Sequence, residues 1–264
     1  VIQIILLTHK KGTPAMPNYS ELTQQLKNLK LSGAAETLEV RIMEAEQNQL
    51  SYSDLLSMIL SDELQLRRNR TLQRLITKAR IESGKTLESF DLTFNPSLNA
   101  AQIKELSRCS FVEKAENVFF IGPTGTGKTH LGKALGHAAC RKYMTVQFYN
   151  FHDLFSYLSK ADLSNKLDNA LKAIVKTDLL IIDDFAFKKI DQKYAEYFYA
   201  VVDQRYGLKS TIITSNRSIS DWAGIFPDPI MANALMDRLC HNAHQIVIKG
   251  ESYRKKLRPK NHNT

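Results

Sequence analysis

Apolar positions in the first part of the chain recur at helical spacing, and those of the second part gather into short runs parted by helical stretches. From Ser20 to about Gln47, Leu22, Leu26, Leu29, Ala34, Leu38 and Ile42 recur at intervals of three to five, with Glu21, Glu36 and Glu39 among them. That spacing predicts amphipathic helix, interrupted near Gly33. Ser53 is placed to cap a second helix running through Leu56, Ile59, Leu60 and Leu64 toward Ala79. Gly84 breaks the pattern, Asn95-Pro96 signals a turn, and Asn99 can cap a short helix through Ile103 and Leu106.

Beyond a boundary placed near residue 110 the period changes. Asn117–Ile121, Thr145–Tyr149, Leu179–Asp183, Thr211–Thr214 and Gln245–Ile248 read as buried strands. Helices are expected to start near Lys128, Phe151, Ser164, Asp191 and Pro229. Short apolar strands alternating with helices predict an α/β fold, a parallel sheet covered on both faces and preceded by a small all-helical domain. Residues 1–15, ahead of Met16, are read as an upstream extension or a disordered segment and left out of the fold.

Composition changes this picture little, whereas charge adds to it. The 264 residues are 43% hydrophobic and 24% charged, which is ordinary globular composition. The net charge of +9 favours a polyanionic partner. Cys109, Cys140 and Cys240 form no C-x-x-C pair and no even disulfide framework, so a reducing, cytoplasmic setting is expected. No apolar run approaches the length of a membrane span, and no membrane partner is expected.

The chemistry starts where the first strand ends. Gly122-Pro123-Thr124-Gly125-Thr126-Gly127-Lys128-Thr129 fits G-x-x-x-x-G-K-[ST] at every fixed position, with a strand before it and a helical pattern from His130 after it. Glycines let backbone N–H groups approach phosphate oxygens, and a helix N-terminus favours negative charge. Lys128 is placed for the β and γ phosphates of ATP and Thr129 for magnesium. The strand Leu179–Asp183 ends in the carboxylate pair Asp183-Asp184. Ligands of parallel sheets bind at strand ends, so Asp183 suits the magnesium shell, and Asp184 can orient or deprotonate the attacking water. Asn216, after another strand end, can meet the γ-phosphate or the water, or cap the following turn. Arg238, Arg254 and, less well placed, Arg205 are candidates to stabilise charge on a transferred phosphoryl group, or are surface ion-pair partners.

Between Arg67 and Lys85 seven basic residues stand against the single acid Glu82. Arg67, Arg70, Arg74 and Lys78 are three or four apart, so on a helix they share one face, suited to the phosphates of double-stranded DNA. Arg254, Lys255, Lys256, Arg258 and Lys260 form a second basic cluster, a tail over residues 251–264.

With the phosphate loop and the acid pair in view, the chain resembles the IstB family of transposition helper proteins, AAA+ ATPases close to the DnaC-type helicase loaders. The resemblance runs from about Tyr19 to Lys256 and rests on Leu29-Lys30-Leu31-Ser32-Gly33, Gly122 to Leu131, Leu179 to Asp184 and Trp222. Asp228-Pro229, Ala234 to Leu239, His241 to His244 and Gly250 to Arg254 continue it. It implies a three-layer αβα ATPase core over 111–250, behind a helical domain at 16–110 that serves DNA binding or oligomerisation. It further implies an ATP- and magnesium-dependent homo-oligomer with ATP sites at subunit interfaces, which assembles on DNA and delivers target DNA to a transposase. By the same resemblance Asn216 falls at the sensor position, Arg238 at the intersubunit arginine finger and Arg254 at the second-sensor arginine. Many AAA+ proteins end the acid pair in Glu where this chain has Asp184, one methylene shorter, which implies slow, switch-like hydrolysis. A replicative helicase loader would share this ATP site. A DNA-architectural module would use it as a regulatory pocket without turnover.

Overall fold

The computed structural model describes residues 19–253. The chain divides into two compact units between Thr71 and Leu72.

The first unit holds α1 (Tyr19–Asn28), α2 (Ser32–Gln47) and the start of α3 (Tyr52–Ala79). The break expected near Gly33 lies at Leu29–Leu31 instead, where Lys30 takes left-handed backbone at φ 59°. Gly33 sits inside the first turn of α2 for a tertiary reason, because a Cβ there would stand 2.9 Å from the Cα of Glu63. The Glu63 carboxylate accepts the N–H groups of Gly33 and Ala34 at 2.6 and 3.2 Å, filling the role of an N-cap from another helix. Ala34, Leu38 and Ile59 form a small core, with Leu26, Leu31, Ile42 and Leu55 packed on it. The cap of α3 is Ser51, not Ser53. Ser51 Oγ accepts the Asp54 N–H, and Asp54 in return accepts the Ser51 N–H, both at 3.2 Å. Leu29, Leu56, Leu60 and Leu64, read as apolar-face positions, are exposed.

The second unit starts well before the boundary expected near residue 110. The end of α3, α4 (Ala100–Ser107) and α5 (Ser110–Glu113) share one hydrophobic core with the sheet, through Ala79, Ile103, Leu106 and Phe111. Then follow β1 (Asn117–Ile121), α6 (Lys128–Arg141), β2 (Val146–Asn150), α7 (Phe151–Leu163) and α8 (Leu167–Val175). After them come β3 (Leu179–Phe185), α9 (Gln192–Arg205), β4 (Ser210–Ser215), α10 (Pro229–Cys240) and β5 (Ala243–Val247). Asn99, Asp191 and Asp228 cap α4, α9 and α10 through their side chains. The helix expected near Ser164 starts at Leu167, because α7 runs on to Leu163 and Asn165 then turns through left-handed backbone.

All strand pairs are parallel, in the order β2-β3-β4-β1-β5. Strand alternation divides the side chains between two cores. Val118, Phe120, Leu179, Ile181 and Ile212 pack with α6 and the elements before β1, whereas Phe119, Ile121, Leu180, Ile182 and Ile213 pack with α7 to α10. Each such fully buried side chain contributes roughly 1.5–3 kcal/mol of hydrophobic stabilisation. The result is the expected three-layer αβα arrangement with the carboxyl ends of β1, β3 and β4 side by side. Among the described residues no helix is long and apolar enough to cross a membrane.

Candidate nucleotide site

The glycine-rich loop joins β1 to α6, so α6 presents its N-terminus at the carboxyl edge of the sheet. Gly125 and Gly127 have φ of 85° and 96°, backbone that side chains rarely adopt. A Cβ at Gly125 would stand 2.0 Å from Ser252 Oγ, and one at Gly127 2.6 Å from the Phe90 ring. Glycine is required there by both conformation and space. Thr126 Oγ1 and the Lys128 ammonium both donate to the Pro123 carbonyl, at 2.9 and 2.8 Å, which curls the loop over its own centre. The Tyr253 N–H donates to the Gly125 carbonyl at 2.9 Å from outside the curl.

Alternation on β3 sends Asp183, like Leu179 and Ile181, to the α6 face. There the Thr129 hydroxyl, in the first turn of α6, donates to Asp183 Oδ1 at 2.8 Å, and the Thr214 hydroxyl of β4 donates to the same oxygen. Burial pushes the Asp183 carboxyl above its ordinary pKa, and these two hydroxyls oppose the shift. An oxygen-only pair of one hydroxyl and one carboxylate is the donor set a magnesium ion takes beside nucleotide phosphates. No group of three or more His, Cys, Asp or Glu converges elsewhere among the described residues to form a protein-only metal cage.

Asp184 has left-handed backbone, φ 54°, and a register irregularity between Ile182 and Phe185 turns its carboxylate out to solvent. Asn150, at the end of the neighbouring β2, donates to Asp184 Oδ2 at 3.3 Å while its own Oδ1 caps α7. Asn216 is exposed directly after β4, next to Ser215, whose carbonyl accepts the Gly122 N–H at 3.1 Å. The loop, both aspartates and Asn216 therefore share one edge.

His130 is turned away from that edge. Its Nε2 lies 2.9 Å from the Thr86 carbonyl and 3.2 Å from Ser89 Oγ, and burial lowers the pKa of the ring. It belongs to a strap over α6 in which Glu82 pairs with Lys133 at 2.8 Å and Glu88 with Arg141 at 2.5 Å.

The arginines separate into distinct environments. Arg205 is buried, and its guanidinium donates to the carbonyls of Ile174, Thr177 and Ser210. It is a structural residue that satisfies the end of α8, and the reading of it as a phosphoryl-stabilising arginine is corrected on that ground. Arg238, half-buried, pairs with Asp203 at 3.0 Å and lies over the Tyr199 ring. Its neighbour Leu239 is bonded through its carbonyl to Asn117, at the start of β1 and hence at the sheet edge opposite the phosphate loop. Arg254 lies outside the described residues, as do Lys255, Lys256, Arg258 and Lys260.

On α3, Arg67, Arg70, Arg74 and Lys78 are all exposed. Arg67 nevertheless has a partner, Glu63, at 2.6 Å, and donates to the Lys30 carbonyl, while Arg70 donates to Ser32 Oγ at 2.7 Å. Sequence reasoning missed Thr214, Asn150 and the strap. An asparagine at a strand end just before a helix was a legible signal for Asn150. The other two depend on which strands and loops become neighbours.

Comparison with known proteins agrees with this geometry. The family of IstB-like ATP binding proteins matches residues 24–261. The ATP-binding protein of insertion sequence IS232 from Bacillus thuringiensis subsp. berliner is 36% identical, over 90% of this chain and 95% of its own. That of IS5376 from Geobacillus stearothermophilus is 38% identical, over 80% and 84%. That of IS21 from Pseudomonas aeruginosa is 36% identical, over 91% of each. Among solved structures, the DnaC helicase loader superposes with a TM-score of 0.56 at 24% identity, over 63% of this chain and 98% of its own. DnaA from Aquifex aeolicus bound to AMPPCP superposes with 0.57 at 23%, over 67% and 54%. At that identity the likeness is one of fold, the αβα core with its parallel sheet. The extent of the match and the level of identity together place the chain in the IstB-like ATP binding protein family.

Proposed function

We propose that this chain binds ATP with magnesium and hydrolyses it as one subunit of an assembly on DNA, in support of the transposase of an insertion sequence. The observation that carries the reading is the Thr129–Asp183 hydrogen bond beside the curled phosphate loop. The Thr129 hydroxyl donates its one hydrogen bond to Asp183, so its oxygen lone pairs remain for a metal. The relatives' association with insertion sequences supplies the biological setting.

In this reading the N–H groups of residues 124–130 and the Lys128 ammonium hold the phosphates, His130 contributing through its backbone. Gly122, whose N–H is bonded to the Ser215 carbonyl, and Pro123, which has no N–H, shape the entry to the loop. Magnesium, when bound, neutralises charge on the β and γ phosphates. Asp184 accepts a proton from, or orients, the attacking water, and Asn150 holds its carboxylate in place. Asn216, exposed directly after β4, is the residue proposed to meet the γ-phosphate or that water. β1 spans roughly 16 Å at about 3.3 Å per residue, farther than the Arg238 side chain extends, which supports the reading that Arg238 acts at the site of a neighbouring subunit in a homo-oligomer. Arg254 is proposed to face the nucleotide, and Arg67, Arg70, Arg74 and Lys78 to contact DNA phosphates.

The test is nucleotide binding and phosphate release with and without duplex DNA, together with retention by an insertion-sequence transposase. Lys128→Ala should lose ATP binding, and Asp184→Asn should keep binding while turnover falls about 10²–10⁴-fold. Unchanged affinity in Lys128→Ala would sink the site. Retention by a replicative helicase in place of the transposase would move the assignment to a loader.

A further inference from the structure

We infer that Thr214 is the positioning residue of the acid pair: one hydroxyl on β4 holds both Asp183, through its carboxylate, and Asp184, through its backbone. The inference rests on the nucleotide-site reading above and deepens it.

The Thr214 hydroxyl has one proton and two lone pairs, and its neighbours determine their use. The Asp184 N–H, which can only donate, points at Thr214 Oγ1 from 3.2 Å. The oxygen accepts that bond, so its own proton goes to Asp183 Oδ1. One hydroxyl thus links the side chain of the first aspartate to the peptide of the second, at the point where Asp184 takes left-handed backbone.

The rotamer that makes this link is held from behind. A Cβ built on Gly132 of α6 would meet the Thr214 methyl at 3.4 Å, so the methyl rests against the bare backbone of α6 and the hydroxyl is left facing β3. Thr214 is fully buried. A β-branched side chain with its methyl so placed has little freedom at χ1. Asp183 Oδ1 consequently receives two fixed hydroxyl donors, Thr129 from α6 and Thr214 from β4, and its carboxylate plane is set between them. Neighbouring groups of this kind commonly change metal affinity 10–100-fold.

The link makes separable demands on shape and on hydrogen bonding, which substitutions distinguish. Thr214→Val keeps the shape and removes the hydroxyl, whereas Thr214→Ser keeps the hydroxyl and removes the methyl. Manganese(II), standing in for magnesium, is titrated by electron paramagnetic resonance into the full-length protein with a non-hydrolysable ATP analogue, and steady-state hydrolysis is measured alongside. Thr214→Val should bind manganese at least about tenfold more weakly with nucleotide affinity in the absence of metal unchanged, and Thr214→Ser should stay within about threefold of the parent. If Thr214→Val does not fold, Thr214→Ala against Thr214→Ser makes the same comparison, since those two differ only in the hydroxyl. Equal manganese affinity in Thr214→Val and the parent overturns the inference, as does an equal loss in Thr214→Ser and Thr214→Val or Ala. A parent protein that binds neither nucleotide nor manganese overturns the nucleotide-site reading itself, a distinct result.

Discussion

The hydroxyl of Thr129 and the carboxylate of Asp183 meet at 2.8 Å, joining the first turn of α6 to the end of β3. Asp183 is buried there, accepting hydrogen bonds from the hydroxyls of Thr129 and Thr214, with burial and Asp184 disfavouring its charge more than these bonds and the Lys133 ammonium favour it. An ionised carboxylate in such a place weighs against the fold unless a cation compensates it.

Asp183→Asn is therefore expected to raise the thermal midpoint of the nucleotide-free protein at neutral pH, since the amide oxygen still accepts both hydroxyls and the charge is gone. The same variant should lose magnesium-dependent hydrolysis. Melting curves without nucleotide and phosphate release with it decide the matter together. A lower midpoint, or hydrolysis with its magnesium dependence intact, would contradict the role given to Asp183.

Glu63 links pH to the integrity of the first unit. Burial pushes its pKa up, but hydrogen bonds from Arg67, Ala34 and Gly33 outweigh burial, and the net shift is below the ordinary value near 4.5. A depressed pKa means the stabilisation is fully present above that ordinary value and is lost as pH falls through the lower, folded-state value. Amide exchange at Gly33 and Ala34, corrected for its intrinsic pH dependence, should lose protection as the pH drops below about 4.5. Glu63→Gln should remove that pH dependence and leave both amides less protected at pH 7. Protection that is flat with pH in the parent protein would show that Glu63 does not hold this helix end.

Contacts already made on α3 divide the basic stripe. Arg67 and Arg70 have partners at Glu63 and Ser32, whereas no ion pair holds the exposed Arg74 and Lys78 among the described residues. Replacing Arg74 and Lys78 with alanine should weaken binding to unrelated duplexes alike, with the salt slope reduced by about 0.9 per charge removed and the melting midpoint unchanged. Arg67→Ala should lower the midpoint as well. Binding isotherms at several salt concentrations check this, and an unchanged slope in the Arg74, Lys78 double variant would remove α3 from the DNA contact.

What was legible in the sequence follows from the range of the interaction behind each feature. The strand, loop and helix around Gly122–Thr129 are local, and the pattern spelled them out. The carboxylates were placed by a strand end, and the αβα fold by alternation of periods. Gly33 was misread as a break because its reason is the approach of Glu63, thirty residues away. Arg205 was misread because its burial against Ile174 and Ser210 is tertiary. Thr214 was invisible because it matters only once β4 lies beside β3, and the 82–95 strap because no motif marks a loop that crosses α6.

Arg238 carries the remaining prediction, on whether the site is complete within one chain. Its guanidinium is held by Asp203 at 3.0 Å and by the Ala234 carbonyl at 3.1 Å, at the sheet edge opposite the phosphate loop. Nothing in the fold allows it to swing across the length of β1 to its own nucleotide. Arg238→Ala should accordingly leave ATP binding intact while hydrolysis falls about 10³–10⁵-fold. Asp203→Asn keeps the arginine and removes its local partner, so it should preserve turnover, which separates loss of the ion pair from loss of the guanidinium. Mixing completes the test. An Arg238→Ala subunit offers an intact pocket, a Lys128→Ala subunit offers an intact arginine, and partial activity should return when the two form mixed oligomers although neither turns over alone. Cross-linking or mass photometry establishes that the mixed species exist, and an inactive mixture under those conditions would show that Arg238 does not act across a subunit boundary.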